Sequence, residues 1–224
     1  MLLAEELLLL ALDPRTGKNR VSNIEKGLAG AVLLELALLD RVRVTEKGEQ
    51  VRAGRLVLRS GPAPEHPALT TGLEVLTSRE GRKPQHVLDA LAKRLRERLA
   101  DGMLETGVLR REWRKTLGLF PSQRLFAQDT AGRPADRERF RAALDGATPD
   151  ERTAAIISLV SALNAVTTVF DVHDRRAARR RAKEIAQGNW AAAAVRKAVE
   201  AVYAATTAAV VASTAASGGD GGGS

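Results

Sequence analysis

Three stretches of this sequence combine residue types and spacings that could do chemistry, and all three are rich in cations. Lys93, Arg94, Arg96 and Arg98 fall close together, with Lys93 and Arg96 three apart. On a helix that spacing puts both on one face. Two cations held there could grip one phosphate group, the arginine by a two-pronged contact. The alternative is a solvated face balanced by Asp89, Glu97 and Asp101. Arg175, Arg176, Arg179, Arg180, Arg181 and Lys183 form a second run, without acids. Its density suits DNA phosphates or an anionic lipid surface, and equally a plain solvated helix. In the third stretch, Trp113, Leu117, Leu119 and Phe120 alternate with Arg110, Arg111, Arg114 and Lys115. At a membrane interface such apolar groups enter the bilayer while the cations meet headgroups; otherwise the rings pack in the core.

Other chemistries find little support. There is no P-loop, GxGxxG, HExxH or GxSxG pattern. With no cysteine there can be no disulfide, thiolate nucleophile or cysteine zinc site, and three histidines leave little scope for an imidazole metal site. Gly27-Leu-Ala-Gly30 lies inside a helical pattern and reads as close helix packing. Glu5-Glu6 reads as a capped first turn, and His173-Asp174 as a helix boundary with a local hydrogen bond. No nucleophile–base pair stands out. The expectation is a protein that is not an enzyme and holds no cofactor or metal.

A chain of 224 residues, 44% hydrophobic and 28% charged, suits one folded domain with a sizeable core. A net charge of +8 points to anionic partners. Aromatics are only 3%, too few for base-stacking platforms, so nucleic acid is the less favoured of them. The apolar start carries Glu5 and Glu6, unlike a signal peptide. The uncharged segment 201–219 is mostly Ala and Thr, which suits a buried helix with a loose end and not a membrane span.

The elements that must position the cations follow from periodicity. Helices are expected over Leu3–Leu12, from Ser22 or Asn23 to about Leu39, over Pro67–Arg79 and over Pro134–Leu144. Ser22 and Glu25 fit a capping box at the second. One long helix is expected from Pro84 to about Leu104, with Leu88, Leu91, Leu95 and Leu99 as its seam. Another starts at Thr148-Pro149, with Pro149 in its first turn, and runs through Val166. A basic helix spans Asp174–Gln187, and a last one runs roughly from Trp190 to Ala212. Residues 41–45 and 55–59 alternate as strands do. Residues 217–224 read as a flexible Gly-rich tail. Val108–Phe126 stays ambiguous on period alone, although Gly118 and Pro121 oppose an unbroken helix.

Several stretches occur in an order and spacing that resemble the Golgi phosphoprotein 3 family. They are Glu5-Glu-Leu-Leu-Leu-Leu-Ala-Leu12 with Gly17, Gly27-Leu-Ala-Gly-Ala-Val-Leu-Leu-Glu-Leu-Ala-Leu38, Arg96-Glu-Arg-Leu-Ala100 and Gly107-Val-Leu109. Ala154–Phe170 and the final helix fit as well, so the resemblance covers about residues 1–212. It implies a mainly α, single domain over residues 1–216: a central helix bundle surrounded by amphipathic helices, with small β-hairpins. It also implies a non-catalytic protein that binds phosphatidylinositol 4-phosphate, peripherally, on the cytoplasmic face of a membrane. Residues 108–126 then become a projecting β-hairpin for membrane contact and homo-oligomer formation, through Trp113, Leu117, Leu119 and Phe120. The family's phosphate pocket uses a Trp, an Arg before the second Gly of the GLxG stretch, and two basic residues three apart. The last two fall on Lys93 and Arg96. The Arg position holds Ala29, and the Trp position falls near Arg20, which can restore a charge. Lys93, Arg96 and Arg20 are therefore the expected headgroup residues. Eukaryotic members carry a basic N-terminal arm; this sequence begins at its first helix, so that arm's role is not expected. A DNA-binding module using residues 175–183 and an oligomeric scaffold are the alternatives.

Overall fold

From Gly27 to Ala37 the second helical segment presents Leu, Val, Ala or Gly in every direction, and Glu35 is its single charge. Such a helix has no face to give to water and must be covered all round. The computed structural model, which describes residues 1–116, 120–128, 133–188 and 193–217, places it at the centre of one mainly helical domain. Every residue from Gly27 to Ala37 of α2 (Ile24–Leu38) is buried.

α1 (Leu3–Ala11) runs antiparallel beside α2, with Leu3 next to Glu35 and Leu7 next to Gly27. α7 (Glu151–Ala162) and α10 (Ala193–Ser217) cover a second side. α3 (Pro67–Thr77), α4 (Pro84–Ala92) and α5 (Leu95–Glu105) cover a third. α9 (Arg175–Gln187) lies outside, on α7 and α10, joined to them through the single-turn α8 (Val166–Val169). α6 (Arg133–Leu144) packs on α7 and α9. Two antiparallel hairpins complete the fold: β1 (Val42–Val44) with β2 (Leu56–Leu58), and the longer β3 (Leu109–Thr116) with β4 (Phe120–Ala127). In the longer one Leu109 pairs with Ala127 and Thr116 with Phe120.

Missing side chains set the closeness of the packing. A Cβ at Gly27 would stand 2.5 Å from Leu163 Cδ1, and one at Gly30 would stand 2.8 Å from Leu159 Cδ2 and 3.0 Å from Val202 Cγ1. The Gly27-Leu-Ala-Gly30 stretch is thus a helix contact, as its pattern implied. Two buried carboxylates hold the layers in register. Glu35, 6% exposed, accepts the Leu3 N–H at 2.6 Å and Arg152 Nη1 at 2.6 Å. Glu6, 5% exposed, pairs with Arg139. Burying a carboxylate costs free energy unless it is paired and hydrogen-bonded in this way.

The structure departs from the expected elements at several points. α2 starts from Asn23 in the left-handed conformation (φ 55°), so the Ser22–Glu25 capping box does not form. Asn tolerates that conformation better than most residues. α7 starts one residue after its cap, Asp150, which accepts the Thr153 N–H; Pro149 therefore precedes the helix. That segment also stops at Asn164 (φ 53°) instead of running through Val166. The long helix expected from Pro84 is two helices, broken at Arg94 (φ 57°). Residues 218–224, most of the expected tail, and Trp190, the expected start of the last helix, lie outside the described residues. Among the described residues no helix is long and apolar enough to cross a membrane.

The glycine contacts generate a stability prediction. Gly30→Val forces branched carbons against Leu159 and Val202 and should destabilise by about 1–3 kcal/mol. A thermal melt reads this; a midpoint equal to that of the unmodified protein would mean that α2 is not seated so closely.

Candidate functional site

The break between α4 and α5 gathers the first cation group. Leu88, Leu91, Leu95 and Leu99 are all buried, so the leucine seam continues through the break while the chain between them swings outward. An unbroken helix would stack Arg94 on Arg98 and Lys93 on Arg96, and like charges at those spacings oppose it by a few tenths of a kcal/mol each. Lys93 instead ends α4 with extended backbone, and Arg94 turns the chain into α5. Lys93 and Arg96 therefore flank a break; they do not share one face of a continuous helix.

Around this break Lys93, Arg94 and Arg98 are exposed and Arg96 is half-buried. Arg98 Nη2 donates to the Lys93 carbonyl at 3.5 Å, keeping the two cations together. Arg96 Nη1 lies 3.9 Å from Glu25, and its Nε is buried without a hydrogen-bond partner. Lys26 is neutralised by Asp89. No side chain caps the N-terminus of α5, whose first-turn N–H groups and helix dipole favour an anion. Behind the cations a cleft of about 90 Å³ runs between α3, α4 and α5, lined by Val32, Gly72, Val75, Leu91, Lys93 and Arg98 among others.

Arg20 has other work. Its Nη2 donates to the carbonyls of Leu10 and Val169, both at 3.2 Å, bracing the end of α1 against α8. Partial burial holds its pKa below the usual guanidinium value; Asp13 opposes that shift and Arg137 adds to it. Its hydrogen bonds thus engage the α1–α8 junction. Ala29 is fully buried in the core, so the position that holds an Arg in the family's pocket forms no open wall here.

The β3–β4 hairpin is anchored at its root. Leu109 and Leu125 are buried in the core. The Phe126 ring closes over Gly17, whose φ of +63° and missing Cβ make room for it: a Cβ there would stand 2.9 Å from two ring carbons. The Leu125 N–H donates to the Gly17 carbonyl at 3.1 Å, and the Arg110 guanidinium lies 4.7 Å from the Phe126 ring centre. Arg111 bonds Asp101 at 3.1 Å, tying β3 to α5, the helix that begins at the cation cluster. Further out Trp113, opposite Gln123, is 65% exposed. Leu117 and Leu119 lie outside the described residues, and Phe120 is described only as the first residue of β4. The sequence signal at Gly17 reads only as a chain break; its role as the hairpin's seat needs Phe126, which is remote in the chain.

The second cation group forms α9 as expected. Asp174 caps it, accepting the N–H groups of Arg176 and Ala177, which hold its carboxyl below the usual range. Ala178, Ala182, Ile185 and Ala186 face inward.

The molecule is thus a helical domain with an anchored, outwardly exposed hairpin and an uncapped cationic helix start. The family model described as Golgi phosphoprotein 3 (GPP34) matches residues 3–202, and the chain belongs to that family. No curated protein matches the sequence.

The hairpin's two halves should respond differently to truncation. Phe126→Ala, at the root, should cost roughly 3 kcal/mol or more, as for a core aromatic. Trp113→Ala, further out, should stay within about 0.5 kcal/mol. Urea midpoints measure both, and equal destabilisation would place Trp113 in the core.

Proposed function

We propose that this protein is a non-enzymatic peripheral membrane protein that binds an anionic phospholipid headgroup on the cytoplasmic face of a membrane. Phosphatidylinositol 4-phosphate is the lipid that family membership suggests. The observation that carries the reading is the α4–α5 break, where Lys93, Arg96 and Arg98 surround the uncapped start of α5. Lys93 supplies a point charge; Arg96 supplies a planar fork with one donor still unpartnered. These groups have the chemistry to bind an anion, which supports a reading by binding alone.

The hairpin supplies the second contact. Trp113 enters the interface, where an aromatic ring with one polar edge is most at home, while Arg110 and Arg111 stay at headgroup level. Beyond the Leu125–Gly17 bond no third strand joins the hairpin among the described residues, and its edges also fit a second copy of the chain, which would join subunits on the membrane.

Lys93→Ala combined with Arg96→Ala should weaken co-sedimentation with vesicles containing phosphatidylinositol 4-phosphate and leave the helical circular dichroism unchanged. Removing each charge-assisted hydrogen bond to phosphate should cost roughly 1.5–3 kcal/mol in a partly desolvated site. Unchanged binding by the folded double variant removes these residues from the site. Trp113→Ser should shorten residence on the same vesicles, since full burial of such a side chain is worth roughly 1.5–3 kcal/mol. Light scattering with and without vesicles would separate membrane contact from self-association. An unaltered dissociation rate and an unaltered size would exclude the hairpin from both roles.

A further inference from the structure

The α9 surface has no part in the headgroup site, yet its charges are arranged at a cost. Six of its residues are cations and one, Glu184, is an acid. Arg175 and Arg176 occupy its first turn, where no acidic side chain stands and where the helix dipole disfavours positive charge. Arg176 and Arg180, four apart, repel each other. Arg176, Arg180 and Lys183 are exposed on one stripe spanning about 10 Å of helix. Among the described residues Arg176 and Lys183 have no ion-pair partner, and Arg180 has only Glu184 at 4.0 Å. Asp171 and Asp174 are the nearest acids before the helix, and Asp174 is engaged as its cap. Arg181, on the other flank, is occupied by the carbonyls of Ala143, Gly146 and Ala147. A stripe that weakens its own helix, with Glu184 as its one ion-pair partner among the described residues, implies a partner that offsets the cost.

We infer that this stripe is a second membrane contact, one that lies along an anionic leaflet without recognising any headgroup; the inference rests on the lipid reading above. Two observations favour a membrane over a nucleic acid. First, α9 is seated closely on the bundle through Ala178, Ala182 and Ala186. A recognition helix must protrude to enter a groove, whereas a bilayer is flat. Second, α9 is tied through α8 to the basic loop that seats the hairpin. Arg179 Nη2 donates to Thr167 Oγ1 of α8 at 3.1 Å. Arg20 donates to Val169 of the same turn, and its loop carries exposed Arg15 and Lys18 and the Gly17 carbonyl that holds Leu125. Contacts with α8 therefore link α9 to the basic loop at the hairpin root. The headgroup cluster selects the lipid; this surface adds attraction that any anionic lipid supplies and that salt screens.

The test compares the full chain with a variant carrying Arg176→Gln, Arg180→Gln and Lys183→Gln. The probes are phosphatidylcholine vesicles containing phosphatidylserine, the same vesicles containing phosphatidylinositol 4-phosphate at matched surface charge, and duplex DNA. The variant should melt no lower than the unmodified protein, because the three side chains are exposed and repel. At low salt its affinity for phosphatidylserine vesicles should fall on the order of 10- to 100-fold, while its preference for phosphatidylinositol 4-phosphate holds or rises. Arg176→Lys with Arg180→Lys should retain binding, since charge and not fork geometry is needed. If the unmodified protein binds but the glutamine variant binds phosphatidylserine equally well, the inference is wrong and the headgroup reading stands. Loss of DNA binding alone would make the stripe a nucleic-acid surface and overturn it. If the unmodified protein binds neither vesicle, the lipid reading fails and this inference with it.

Discussion

The total enclosure of α2 is the constraint on which the rest of the molecule depends. Gly27 and Gly30 bring it against Leu163, Leu159 and Val202, and Gly72 of α3 lets Val32 in from another side. A helix covered this closely fixes the position of everything laid on it. Its start sets the loop on which Gly17 holds Phe126, and so where the hairpin leaves the body. Its flank meets α4 and α5, and so determines where their junction can face solvent. Glu35 and Glu6 add directional bonds to this packing, tying α1, α6 and α7 through Leu3, Arg139 and Arg152. Removing the Glu35 carboxylate would leave the buried Leu3 N–H without that acceptor, which costs more than the bond itself contributes.

The surfaces proposed for function sit where the chain leaves this core, and their chemistry comes from what the core does not satisfy. At the α4–α5 break the leucine seam stays buried while four cations and an uncapped helix start are turned outward. At the hairpin the root is bonded on both strands, by Arg111 to Asp101 and by Leu125 to Gly17, so that an exposed Trp113 is carried on a fixed base. At α9 small inward side chains hold a flat, highly charged helix against α7 and α10. Packing supplies rigidity in each case, and exposure supplies the reactive groups.

Much of this was legible in the residues. Leu28, Val32 and Leu36 mark α2, Asp174 marks the start of α9, and the small residues at Gly27 and Gly30 mark a close helix contact. The breaks at Arg94 and Asn164 were not, because neither Gly nor Pro stands there and the apolar period runs straight through both. At Arg94 the left-handed conformation runs against local preference, whereas Asn164 is of a type that tolerates it. The site was readable as residue types but not as geometry. Lys93 and Arg96 are three apart in either arrangement, yet only the break places them around a helix start. The bracing of α1 and α8 by Arg20 was hidden for a similar reason, since one of its acceptors, Val169, is distant in sequence.

The central claim is that an anionic headgroup docks at the start of α5. Amide hydrogen exchange, compared between the free protein and the protein on vesicles containing phosphatidylinositol 4-phosphate, tests it most directly. The account predicts slower exchange at the amides of Leu95, Arg96 and Glu97 and along the described outer part of the β3–β4 hairpin, with β1 and β2 unchanged. Slowed exchange confined to other elements, with the first turn of α5 unaltered in vesicle-bound protein, would contradict it.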